Sequence, residues 1–267
     1  VQASTTNYIS GTITTQLSVI LPTPTITFSI PTKTVGTPLF TIPVPTSNSA
    51  GAFTYTSSNL AVATILGNKM TIIGAGTSTI TVVQAATETY LSGTTTTSLL
   101  VLLPIPIISG FSIPAKTFGI IPFSIPDPAS NSTGAFTYLS SLESVATIAG
   151  NLVSIVGGGT SNITVNQAGT ADYRPGTMTI SLLVNPATPL LTSFSIPAKT
   201  TINDPFTITD PSSNSAGDFT YSSSNPSVAT VTGNVVAIIG AGSSTITAVQ
   251  ASTTNYISGT ITSPLVV

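Results

Sequence analysis

The chain has 267 residues, of which only 4% are charged, and its formal net charge is −2. An average domain is roughly 25% charged, so binding nucleic acid through a basic face is excluded on composition. There is no His, Cys or Trp, which removes disulfides, Cys-ligated metals and the commonest general base.

In chain order, the first segment is the first surprise. Residues 1–14 read VQASTTNYISGTIT, and residues 249–262 read the same. Altered copies start at Val83 (VQAATETYLSGTTT) and Asn166 (NQAGTADYRPGTMT). Phe28, Phe111 and Phe194, each opening F-S-I-P-x-K-T, recur at 83-residue intervals. The chain therefore reads as a tandem array. Residues 1–22 are expected to be the last loop and strand of a preceding module, needing that module or another chain to complete their sheet. Three full modules follow at 23–104, 105–187 and 188–267. The first residue lies inside a repeat and is not Met, so a longer array is expected. The unchanged copy returns only after three modules, which suggests a higher-order unit of three.

Within a module, short β-branched stretches alternate with Gly, Pro, Asn and Ser clusters, and no apolar stripe of helical period is present. In the third module the strands are read at Ser193–Ile196, Phe206–Thr209, Phe219–Ser222, Val228–Val231, Val235–Ile239, Thr245–Val249 and Thr260–Val267. Gly233-Asn234 reads as a two-residue hairpin turn. Met70, Val153 and Val236, and Ile72, Ile155 and Ile238, stay apolar between repeats. Lys69, Leu152 and Val235 do not, which puts the first two sets in a core. The fold class expected is all-β: three sandwiches of two antiparallel sheets. The apolar run Leu99–Ile108, broken by Pro104 and Pro106, is too short to span a membrane and reads as a last strand and a stiff junction.

Tyr221 to Val231 (YSSSNPSVATV), followed by Gly233-Asn234 and Ile239 to Thr247 (IGAGSSTIT), resembles the bacterial immunoglobulin-like domain of the Big2 type. The first and second modules repeat the pattern at Tyr55–Ile65 and Gly74–Thr81, and at Tyr138–Ile148 and Gly157–Thr164. Leu60 and Ser144 replace Pro226, and Gly158 replaces Ala241. The resemblance implies surface-displayed arrays, as in bacterial adhesins and virus fibres, and transfers no catalytic residue.

No constellation for catalysis is present, so no enzyme activity and no cofactor are expected. Lys33, Lys116 and Lys199 recur, but the buried acid that an isopeptide cross-link needs does not. A solvated edge Lys that discourages strand pairing is favoured, over contacts with Asp127 and Asp210. Gln84, Gln167 and Gln250 read as amides satisfying backbone groups rather than ester partners. Asp204, Asp210 and Asp218 have no acidic counterparts in the first module, which argues against a repeated calcium site. Tyr8, Tyr90, Tyr173 and Tyr256 read as rings closing the sandwich end, with the phenol bonded to backbone, in preference to a sugar-binding aromatic platform. The loop before each of these tyrosines varies most, and Glu88, Asp172, Arg174 and Asn255 are its candidate partner contacts.

The expected role is an extended spacer in an extracellular stalk or fibre, on a bacterium or virion. Its expected partners are neighbouring modules or copies of the chain. An adhesin that binds a receptor or glycan and a laterally assembled filament are the alternatives. Neither nucleic acid nor membrane insertion is expected.

Overall fold

The computed structural model describes all of residues 1–267, and every regular element in it is a strand. The strands fall into two compact units, Val1–Pro104 and Ile105–Val267.

In the first unit, Gly76–Gln84 and Gly93–Leu102 form a long hairpin that carries Phe53–Ser57 on one side. Lys33–Thr34 lies on the other side, parallel to the last strand, through Lys33↔Val101 and Thr34↔Leu102. Phe40–Thr41, Lys69–Ile72 and Ala63–Leu66 make the facing sheet. Ile26–Thr27 pairs with Thr46–Ser47 at one end. The alternation in Gly76–Gln84 explains the packing. Ser78, Ile80, Val82 and Gln84 face inward and are buried, while Thr77, Thr79 and Val83 face out. Ile80 and Leu99 meet Met70 in the core. Burying each such side chain contributes about 1.5–3 kcal/mol, and truncating one to Ala costs about 2–5 kcal/mol.

The second unit contains this arrangement twice, except that the third repeat lacks the parallel edge strand. Ile163, Val165, Leu182 and Val153 centre one core, and Ile246, Leu265 and Val236 centre the other. The Gly-Asn turns form as the sequence indicates. Gly67, Gly150 and Gly233 have φ of 62°, 63° and 60°, the left-handed first position of a type II′ turn. Val153 and Val236 are fully buried and Leu152 and Val235 exposed, so the inner face of this strand is the expected one.

Three expectations change. The sheets are not purely antiparallel, because Lys33–Thr34 and Lys116–Thr117 pair parallel to the last strands of their repeats. Ser193–Ile196 is not a strand. The pairing lies earlier, at Leu191–Thr192 with Ser212–Ser213, because Ser193 takes φ 58° and the Ile196 amide donates to Ser263 Oγ at 2.9 Å. The short strands equivalent to Ser212–Ser213 had no sequence signal.

Residues 1–14 and their copy 249–262 adopt the same local hairpin. Gln2 pairs with Gly11 as Gln250 pairs with Gly259. Thr5 N–H reaches Tyr8 O at 2.9 Å, as Thr253 N–H reaches Tyr256 O at 2.8 Å. The loop is thus encoded locally, whereas burial is not. Leu17 is 85% exposed, and its counterparts Leu99, Leu182 and Leu265 are each at 0%.

Candidate functional site

The loop before each last strand closes on itself. The Thr87, Thr170 and Thr253 amides donate to the carbonyls of Tyr90, Tyr173 and Tyr256 at 2.8–2.9 Å. The same threonines' Oγ1 atoms accept from the tyrosine amides at 3.1–3.2 Å. These local bonds, not a phenol-to-backbone bond, shape the loop.

In the second unit the third of these loops joins two repeats. Gly158 N–H donates to Asn255 Oδ1 at 2.8 Å. Ala187 N–H donates to Asn255 O at 2.8 Å, and Ile257 N–H returns to Ala187 O at 2.9 Å. The Tyr256 ring stands edge-on to Phe118, with centroids 5.4 Å apart at 79°. Such a pair contributes about 0.5–1.5 kcal/mol beyond area. A Cβ on Gly158 would sit 2.1 Å from Thr254 O, so the backbone approach demands glycine. A shallow groove of about 380 Å³ remains beside Phe118 and Tyr256. At the positions equivalent to Phe118 and Gly158, the first repeat has Val35 and Ala75 and the third has Thr201 and Ala241. The full set therefore occurs once.

Of the four residues singled out from sequence, only Asn255 belongs to this joint. Glu88 and Asp172 are exposed and Arg174 is half-buried, in loops of the first and second repeats. The four do not form one site. Phe118 and Gly158 were missed as contacts. The Gly158 departure was visible, but nothing in the sequence showed that a loop 97 residues away would meet it.

The other recurring polar residues have structural partners. Each Lys ammonium lies over a ring, Lys33 over Phe40, Lys116 over Phe123 and Lys199 over Phe206, at 4.3–4.4 Å. Lys33 and Lys116 lie on edge strands, as expected, but all three lysines are half-buried and ring-capped rather than freely solvated. Asp127 and Asp210 accept from the phenols of Tyr138 and Tyr221 at 2.6 and 2.5 Å. Burial first, then the bond to the carboxylate and its charge, push both tyrosines well above the usual range. Tyr55, which has Val44 where the others have Asp, is raised by burial alone.

Gln84, Gln167 and Gln250 are buried, and each amide is satisfied three times. Oε1 of Gln167 accepts from Ser130 Oγ at 2.6 Å, while Nε2 donates to Ser132 O and Gly134 O at 2.9 and 3.0 Å. The other two repeats reproduce the set.

No protein-family model matches the chain, and no curated protein matches it. Solved structures do. Mouse protocadherin-24 EC1-3 shares 12% identity over 97% of this chain and 100% of its own, with a TM-score of 0.26. The insect immune protein hemolin shares 14% over 91% of this chain and 75% of its own, with a TM-score of 0.36. Sidekick-1 immunoglobulin domains 1-5 share 10% over 91% and 58%, with a TM-score of 0.32. The fold is a tandem array of immunoglobulin-like sandwiches. At these identities and TM-scores the likeness carries no argument, and the fold rests on the strand topology of the chain itself.

Proposed function

We propose that the chain is a load-bearing spacer, a stretch of Big2-type repeats in an extracellular stalk or fibre on a bacterium or virion. The observation that supports this is the parallel placement of Lys33–Thr34 and Lys116–Thr117, near the start of their repeats, beside the last strands. Val35 N–H donates to Leu102 O, and Phe118 N–H to Asn185 O, both at 2.9 Å. The third repeat keeps one such bond, Lys199 N–H to Val266 O at 2.9 Å. Tension enters a repeat at its beginning and leaves at its end. Parallel neighbours at those two points are loaded in shear, so their hydrogen bonds must break together, whereas an antiparallel terminal pair would unzip one bond at a time. The sparse charge suits this role, since such a surface responds little to salt.

Pulling the full chain by its ends in a single-molecule instrument tests the reading. Three separate unfolding events are expected, each lengthening the chain by about 250 Å, from ~83 residues at about 3.5 Å each less the folded length. Val35→Pro removes the amide that donates to Leu102 and should weaken one event only. Equal rupture forces in Val35→Pro and wild type, or one merged low-force event, would overturn the proposal.

A further inference from the structure

We propose that the outer face of the four-stranded sheet in the first two repeats, and its three-stranded equivalent in the third, is a homotypic contact surface whose partner is a second copy of this chain. The inference goes beyond the load-bearing role and does not depend on it.

The face is built from the sequence upward. Inward positions of the long hairpin are taken by core residues, so the alternate positions must face out. There the same row recurs in each repeat. Thr81 lies opposite Thr96, Thr164 opposite Thr179, and Thr247 opposite Thr262. In the second repeat the two hydroxyls of this row hydrogen-bond at 2.8 Å. Two aliphatic side chains per repeat stand exposed on the same face, Leu100 with Val83, Leu183 with Leu139 and Val266 with Val249.

Of the chain's twelve charged residues, only Asp218 shares the outward alternation of this face, at the start of the Phe219–Ser223 strand in the third repeat. The lysines of the edge strands in the first two repeats point the other way, over Phe40 and Phe123. Sheets exposed to water commonly carry charge that prevents such faces from meeting. Here that protection is missing in the first two repeats and reduced to Asp218 in the third. A charged partner finds almost no counter-charge, while a like copy meets almost no repulsion, and its hydroxyls and aliphatic groups match those opposite. The β-branched threonines lose little side-chain freedom on contact.

Area decides how such a contact works. Three strands about 4.8 Å apart and about 30 Å long give a face of about 400 Å². A stable interface needs about 800 Å² per partner. A single repeat is therefore too small, and association gains strength from several repeats engaging together.

Sedimentation of the full chain from micromolar to millimolar concentration tests this. Reversible self-association that is unchanged between low and high salt is expected. The triple variant Thr81→Lys, Thr164→Lys, Thr247→Lys should weaken it at least tenfold, and the Thr→Val triple at the same sites should keep it. Should the Lys triple lose its native circular dichroism, Thr96→Asp, Thr179→Asp, Thr262→Asp carries the same expectation on exposed positions. A wild-type chain monomeric throughout would overturn the proposal. So would a folded charged variant that associates like wild type, or a face that binds a neutral glycan but not its own copy.

Discussion

Gly158 and Asn255, 97 residues apart, are joined by a 2.8 Å hydrogen bond from the Gly158 amide to the Asn255 side-chain carbonyl. The bond requires the backbones to approach until Thr254 O lies where a Cβ would be. Gly158→Ala should push the loop away, breaking both this bond and the Phe118–Tyr256 contact. The expected loss is about 1–3 kcal/mol of coupling between the two repeats. It should be read as faster hydrogen exchange of the amide at 158 and loss of Phe118–Tyr256 cross-peaks. Exchange of core amides such as Val153 should be unchanged. Retained cross-peaks would show that the joint does not depend on glycine.

The buried glutamines make a larger prediction. Gln167→Ala would leave Ser132 O, Gly134 O and Ser130 Oγ without their partner. An orphaned buried polar group costs about 1–3 kcal/mol, so the repeat should lose about 3 kcal/mol or more. Gln167→Glu should be no better, because a carboxylate cannot donate to two carbonyls. Urea unfolding of both variants checks this, and a change below about 1 kcal/mol would mean that water replaces the amide.

What could be read from sequence divides along physical lines. The sandwich, the Gly-Asn turns and the buried side of Lys69–Ile72 were legible because period two and a left-handed glycine are local properties. Lys33–Thr34 was not legible as a parallel strand, since two residues carry no period. Ser193–Ile196 looked like a strand because it is apolar in alternation. Its burial is real, but the Ile196 amide is satisfied by Ser263 Oγ instead of a ladder. The joint was least legible of all. Phe118 and Gly158 each look like a neutral departure from the repeat, and only the fold brings them to one loop.

Lys33, Lys116 and Lys199 should stabilise by ring contact rather than by ion pairing. An exposed cation–π pair contributes about 0.5–1 kcal/mol. Lys116→Met keeps the aliphatic stem and removes the charge over Phe123, so it should cost less than about 1 kcal/mol. Because no acid is involved, the cost should be nearly the same in low and high salt. A cost that disappears in high salt would point to a missed ion pair.

The alkaline limit of stability should trace to Tyr138 and Tyr221. Their folded pKa values are raised above the ordinary 10.0 by burial, then by the bonded carboxylates of Asp127 and Asp210. The folded state therefore holds these protons more tightly than the unfolded state. The stabilisation is fully present below pH 10 and is lost as pH rises above it toward the folded pKa values, because only the unfolded chain gives up the protons. Tyr138→Phe with Tyr221→Phe removes both titrations. At neutral pH the double variant should lose about 1–2 kcal/mol per repeat with the phenol–carboxylate bonds. Above pH 10 its stability should fall less steeply than that of wild type. Tyr55 has no acid beside it and stays in both proteins, so a residual alkaline slope should remain. Urea midpoints taken from neutral pH to about pH 12 measure the difference. Equal slopes in the two proteins would place the alkaline sensitivity elsewhere in the chain.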